Sequence, residues 1–296
     1  MPPFGRLVTA MVTPMQADGS VDYERAALLA RRLADEGSDA IVVAGTTGES
    51  PTLSRDEKLR LFETVARAVG ARVKVLAGTG SYNTAESVQL SRQAEGTGVH
   101  GLLLVTPYYN KPPQEGLFRH FGAIAEATRL PIMLYNVPSR TSVNLLPATV
   151  ARLVRAFPNI VALKECVPEQ AGAVLREAPE GFAVYSGDDA ATLPIMAQGG
   201  VGVVSVASHV VGPRMREMID AYVAGDVARA ARIHQELLPV FKALFATTNP
   251  ILVKAALEMV GFPVGGLRLP LVEATEKERE LLREALAGAG VLVSGS

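Results

Sequence analysis

A chain with one cysteine, Cys166, closes no internal disulfide and builds no cysteine cluster for zinc. That scarcity suits a reducing cytoplasm, the expected location. The four histidines, His100, His120, His209 and His234, are scattered without the close spacing of metal-ligating pairs, so no metal is expected. Neither sign of charge is in excess, with 29 Lys plus Arg against 30 Asp plus Glu. No net field therefore draws the chain to nucleic acid or to an anionic membrane. No apolar run approaches the roughly 18 residues of a membrane span. The N-terminal "MPPFGRLVTAMVTPM" has one early arginine and an apolar stretch broken by Thr9, Thr13 and Pro14, which fits neither a signal peptide nor a spanning helix. "GTTGES" (45–50) lacks the Gly-Lys-Ser/Thr ending of a P-loop, and "GTGSYN" (78–83) lacks the third glycine of a dinucleotide fingerprint. Small molecules are the expected partners, and neither nucleotide motif is present.

Apolar residues are plentiful, at 48% of a 296-residue chain, enough for a sizeable core. They gather in eight short runs rich in Val, Ile and Leu: "LVTAMVT" (7–13), "AIVVAG" (40–45), "VKVLAG" (73–78), "GLLLVT" (101–106), "IMLYNV" (132–137), "IVALKEC" (160–166), "FAVYSG" (182–187) and "VGVVSVA" (201–207). Continuous rather than alternating apolarity implies strands covered on both faces, as in a parallel sheet flanked by helices. Between the runs lie amphipathic stretches such as "DYERAALLARRLADEG" and "SRDEKLRLFETVARAVG", each closed by a glycine. Ser54 and Glu57 have the spacing of a capping box and place one helix start. Strict alternation with eight strands predicts an α/β fold of the (β/α)8 barrel type, since a doubly wound sheet usually carries fewer strands or a second domain. From about Gly212 the pattern turns wholly helical, and only the first of those helices is needed to complete a barrel. Residues 1–225 are therefore expected to form the barrel and 226–296 a C-terminal helical extension.

Catalytic groups of such barrels sit at the C-terminal strand ends. There the chain reads "GTTGES", "GTGS", "TPYYN", "YNVPSR" and "SGDD", all rich in hydroxyls, amides and glycines. Single turns of this composition are ordinary βα connections; five together point to a site. Asp188 and Asp189 are expected to cap the helix that follows them. Within "IVALKEC", alternation puts Lys164 on one face with Ala162 and Cys166, and Val161, Leu163 and Glu165 on the other. Small neighbours leave room for an inward lysine. At its ordinary pKa only about 1 part in 2,500 of a lysine is neutral amine at pH 7, and burial raises that fraction about tenfold for each unit by which the pKa falls. An inward Lys164 is thus prepared to attack a carbonyl, the alternative being a side chain that reaches solvent or pairs with a carboxylate. The resulting iminium eases loss of a proton from the adjacent carbon, and hydroxyls must carry that proton. Thr46, Tyr109 and Tyr135 lie at three strand ends where a relay can form. Arg140 offers a fork for a substrate carboxylate.

"GTTGES", "TPYYNKP", "YNVPSRT", "LKE" and "SGDD", in this order over essentially the whole chain, resemble the 4-hydroxy-tetrahydrodipicolinate (dihydrodipicolinate) synthase family of the class I pyruvate-dependent lyase superfamily. The resemblance implies a (β/α)8 barrel, without a cofactor, that forms a Schiff base between Lys164 and pyruvate and condenses it with L-aspartate 4-semialdehyde. It opens the diaminopimelate branch to lysine. The motif match implies Tyr135 as main proton shuttle, linked by Thr46 to a Tyr109 contributed by a neighbouring subunit. It further implies that Thr47 holds the pyruvate carboxylate and that Arg140 binds the semialdehyde carboxylate. Gly187 and Val204 would line the pocket with backbone, and Asn249 would stand near the barrel mouth. A homotetramer built as a dimer of dimers is implied. N-acetylneuraminate lyase and 2-keto-3-deoxy sugar acid aldolases share the superfamily, but Arg140 favours a short acidic aldehyde. Two departures stand out. The lysine is followed by "KECVP" where the family commonly reads Lys-Glu-Ala-Ser/Thr-Gly, and Lys58, with Arg55 and Tyr82 nearby, replaces the residue that recognises L-lysine in feedback-inhibited members. A cation there repels the inhibitor's ammonium, so weak or absent inhibition is expected.

Overall fold

The computed structural model describes residues 2–292. Eight strands form a closed, all-parallel barrel in sequence order: β1 Leu7–Ala10, β2 Ala40–Val43, β3 Lys74–Gly78, β4 Gly101–Val105, β5 Ile132–Asn136, β6 Ile160–Glu165, β7 Ala183–Ser186 and β8 Gly202–Ser205. Each lies inside one of the eight apolar runs. The first helices are α1 Tyr23–Asp35, α2 Arg55–Val69, α3 Thr84–Ala94 and α4 Gln114–Glu126. After β5 come α5 Pro138–Thr141 and α6 Pro147–Ala156, then α7 Pro168–Glu177 after β6 and α8 Thr192–Ala197 after β7. The last barrel helix, α9 Ser208–Val223, starts ahead of Gly212 and kinks at Val211, two residues before Pro213, where the ring removes a backbone donor. Three more helices follow: α10 Val227–Leu244, α11 Ile251–Met259 and α12 Glu276–Gly288. Among the described residues no helix is long and apolar enough to cross a membrane.

Strand alternation builds two apolar layers. Ile41 and Val43 of β2, with Leu102 and Leu104 of β4, pack outward against the helices, while Ala40, Val42 and Leu103 fill the barrel interior. Each large side chain so buried contributes roughly 1.5–3 kcal/mol. Phe4 stands against Gly101 at the start of β4 and closes the N-terminal end of the interior, leaving the C-terminal end for chemistry. The helix starts follow the local signals. At α2 the Ser54 hydroxyl accepts the Glu57 N–H and the Glu57 carboxylate accepts the Ser54 N–H, the reciprocal capping box.

One strand departs from simple alternation. The pairing of β5 with β6 slips, so that Ile132 faces Ile160 while Met133 faces Ala162. Val161, expected on the outer face with Leu163, therefore packs against the interior cluster, and Ile160 joins the outer layer. Beyond the slip the alternation is regular and carries Lys164 inward.

Candidate active site

Lys164 and Tyr135 are directly paired across β6 and β5. Both are 5% exposed, and the lysine amine sits over the tyrosine ring, 4.2 Å from its centroid. Gly187, just past β7, makes room for the lysine and for Cys166. A Cβ at that position would stand 3.2 Å from Lys164 Cε and 2.2 Å from Cys166 Sγ. Burial pushes the Lys164 pKa down; Cys166 and Asp189 pull it up and Arg140 adds to the depression. Burial also pushes the Tyr135 hydroxyl above its ordinary range, with Cys166 raising it and Arg140 and a hydrogen bond with Thr46 lowering it. The pair is thus an amine eased toward its neutral form beside a phenol held in its protonated form.

Two small cavities meet here. One, of about 230 Å³, is lined by Lys164, Tyr135, Thr46, Thr47, Arg140, Gly187, Cys166 and Asn249. The other, of about 200 Å³, shares Thr46, Tyr135 and Arg140 and extends past Gly45 and Gly78 to Tyr108. Asn249 donates from Nδ2 to Thr47 Oγ1 at 2.9 Å, and Arg140 donates to the Asn249 carbonyl at 3.4 Å. Hydroxyls, an amide and a guanidinium therefore converge on a keto-acid-sized space in front of a buried amine. Such a set can bind a carboxylate, trap the neighbouring carbonyl and relay a proton.

Two of the expected site residues stand elsewhere. Tyr109 is 92% exposed, has left-handed backbone (φ +72°) and lines neither cavity. Val204 lies in the barrel-interior cluster and also lines neither, while Val206, two residues on, reaches the lysine cavity. Asp188 caps the turn after β7 by accepting the Ala190 N–H at 2.8 Å, as expected. Asp189 instead spans to the end of β8, where one carboxylate oxygen accepts the Val206 and Ala207 N–H groups at 3.1 and 2.9 Å. Burial pushes its pKa up to about 6. The sequence reading did not single out Cys166 or Phe245 as lining residues. For Cys166 a signal existed, since it shares the face of Lys164 two residues on; Phe245 follows α10 and no local pattern brings it to the barrel mouth.

Glu165 points away from the lysine, as alternation requires. Its Oε1 accepts Asn136 Nδ2 at 2.9 Å and the Val167 N–H at 2.8 Å, while its buried Oε2 has no hydrogen-bond partner. Burial raises its pKa from the ordinary 4.5 to about 7, against the pull of those donors. A carboxyl whose folded pKa is raised favours the folded state below pH 4.5 and loses that contribution as the pH climbs to about 7, by roughly 3 kcal/mol. Glu165→Gln keeps the accepting oxygen and cannot ionise. Chemical unfolding is expected to show the variant gaining on the wild type by about that amount between pH 4.5 and 8; a pH-independent difference would contradict this.

The comparisons with known proteins agree with this geometry. A family model described as the dihydrodipicolinate synthetase family matches residues 3–289. The 4-hydroxy-tetrahydrodipicolinate synthase of Symbiobacterium thermophilum is 68% identical over 293 residues, covering 99% of this chain and 100% of the relative. The crystal structure of dihydrodipicolinate synthase from Cyanidioschyzon merolae with lysine bound superimposes with a TM-score of 0.97 at 48% identity, covering 99% of this chain and 100% of that one. A structure described as the first monomeric dihydrodipicolinate synthase variant gives 0.95 at 43% identity, over 98% of each chain. With a barrel of the same topology, a lysine buried at its mouth and a match along nearly its full length, the chain belongs to the dihydrodipicolinate synthetase family.

Proposed function

We propose that the protein condenses pyruvate with L-aspartate 4-semialdehyde through a Schiff base on Lys164, giving 4-hydroxy-tetrahydrodipicolinate at the entry to the diaminopimelate branch of lysine biosynthesis. The observation that carries this reading is the buried Lys164 amine over Tyr135, in a cavity that also holds Thr46, Thr47 and Arg140. Neutral Lys164 attacks the keto carbon of pyruvate, and water leaves to give the iminium. The iminium draws electrons from the adjacent methyl, which loses a proton and becomes the enamine carbon. That carbon attacks the aldehyde, a C–C bond forms, and the new alkoxide takes up a proton. The amino group of the second substrate then adds to the iminium carbon, closes the ring and frees the lysine. Tyr135, touching both Lys164 and Thr46, is the group placed to move these protons. Thr47 holds the pyruvate carboxylate with Asn249 behind it, Gly187 supplies backbone beside the lysine, and Arg140 receives the semialdehyde carboxylate. The Val204 backbone, rather than its side chain, is the part assigned to the pocket.

Tyr109 enters the relay as Tyr109 of the partner subunit; its exposure in the single chain is consistent with that use. We accordingly assign a homotetramer made of two such dimers, in the cytoplasm. The barrel and extension are assigned to residues 1–225 and 226–296, of which residue 1 and residues 293–296 lie outside the described residues. Incubation with pyruvate and borohydride, followed by mass spectrometry, is expected to place the adduct on Lys164, and the enzyme to condense aspartate semialdehyde without cleaving sialic acid. No adduct would leave a ligand-binding barrel, and an adduct with sugar cleavage alone would indicate the aldolase reading. L-Lysine is expected to inhibit weakly or not at all, because half-buried Lys58 occupies the position that the resemblance gives to inhibitor recognition, where a cation would repel the inhibitor's ammonium. Half-maximal inhibition at sub-millimolar lysine in initial rates would refute it.

A further inference from the structure

Residues 45–50 carry Thr46 and Thr47, and two non-glycine residues in left-handed backbone bend this segment, Ala44 (φ +53°) ahead of it and Glu49 (φ +56°) within it. L-residues populate that region sparsely, and it persists where the surroundings over-determine it. Here the surroundings come from more than 200 residues along the chain. Asn249, just ahead of α11, holds the Thr47 hydroxyl at 2.9 Å. Lys254, in the first turn of α11, stands 2.5 Å from Glu49 Oε1, with the two side chains 3% and 1% exposed. Its amine also donates to the Gly266 carbonyl at 2.6 Å. The Arg268 N–H donates to the second Glu49 oxygen at 3.0 Å, and its guanidinium donates to the Thr52 carbonyl at 2.7 Å. Both Glu49 oxygens are therefore held by the segment that follows the barrel.

We propose that Glu49 and Lys254 are positioning residues for the condensation, a buried pair that ties the start of α11 to residues 45–50 and so sets where Thr46 and Thr47 stand. The inference rests on the roles given to Lys164, Thr46 and Thr47 above. Stability is a poor reason to keep such a pair, because replacing a buried ion pair with apolar groups of like volume is often neutral or stabilising. What the pair supplies is direction. It joins a charged tip of the strained loop to the same helix end whose Asn249 touches Thr47, so the loop is gripped at two points. Burial pushes the Lys254 pKa down, and the Glu49 carboxylate beside it pulls it back up.

Lys254→Met alone strands a buried carboxylate and is expected to destabilise the fold, so the decisive variant is Glu49→Gln/Lys254→Met, which leaves neither charge. Three quantities are measured: thermal unfolding, the pyruvate dependence of borohydride trapping on Lys164, and kcat and KM for pyruvate. The double variant is expected to unfold at or above the wild-type temperature, to reach full trapping, and to need about tenfold more pyruvate or beyond, as displacement of a positioned group by an ångström costs up to a hundredfold. Arg279→Gln, which breaks the pair with Glu258 on the other end of α11, is expected to leave the pyruvate dependence unchanged. A double variant that titrates pyruvate within twofold of wild type, or an equal shift in Arg279→Gln, overturns the inference. A wild type that traps no pyruvate overturns the functional reading beneath it, and this one with it.

Discussion

Replacing Lys164 by alanine is expected to remove the borohydride-trapped pyruvate adduct and to lower condensation roughly ten-thousand-fold or more, the scale seen when a covalent nucleophile is deleted. In the proposed mechanism Arg140 and Thr47 would still bind carboxylates, but without the amine no iminium would form to acidify the methyl. Lys164→Arg is the sharper control. It restores a cation and hydrogen-bond donors, yet a guanidinium does not give up its proton, so it too is expected to trap nothing. The same substitutions should leave the fold intact. A lysine whose pKa is lowered by burial favours the unfolded chain at neutral pH, where the solvent-exposed unfolded side chain is charged, and that penalty fades as the pH rises toward 10.5. Lys164→Met is accordingly expected to unfold at a higher temperature than wild type at pH 7, with the gap narrowing at alkaline pH. A variant lacking the amine that kept more than a few per cent of condensation activity would sink the assignment.

Tyr135→Phe is expected to slow condensation by about 10²–10⁴-fold, the usual contribution of a positioned acid and base. Phenylalanine keeps the ring under the Lys164 amine and the packing of the interior cluster. Only the hydroxyl against Thr46 and Cys166 is lost. Trapping should still reach completion, more slowly, because the proposed nucleophile survives while the proposed proton carrier does not. Since burial holds the Tyr135 hydroxyl protonated beyond its ordinary range, its ionisation is not expected in the rate profile below pH 10. A phenylalanine variant within about fivefold of wild type would assign the relay to another group.

The barrel was legible in the chain because each strand is buried on both faces and so reads as an unbroken apolar run. Helix starts were legible where a short polar code specifies them, as at Ser54 and Glu57. Val161 was misassigned because alternation presumes an even register, and the slip between β5 and β6 is set by how two strands pair. Asp189 was misassigned in part for a related reason: its carboxylate passes over the nearby helix start to two N–H groups past β8. Lys164, Tyr135, Thr46 and Arg140 were legible because strand ends of a parallel barrel must converge, so that turn composition points to the mouth, whereas Thr47 was legible only through the family resemblance.

Local pattern thus sufficed for which segments become strands, which face Lys164 takes, and which polar turns ring it. Those properties follow from spacing along one chain and the two-residue period of a strand. Folding in three dimensions settled how far the amine is desolvated, which glycine stands against it, and that Asn249, just ahead of the helix beginning at Ile251, and Lys254 within it hold Thr47 and Glu49. Contacts between residues some two hundred positions apart depend on how the helices pack around the closed barrel, and no window of sequence contains both partners.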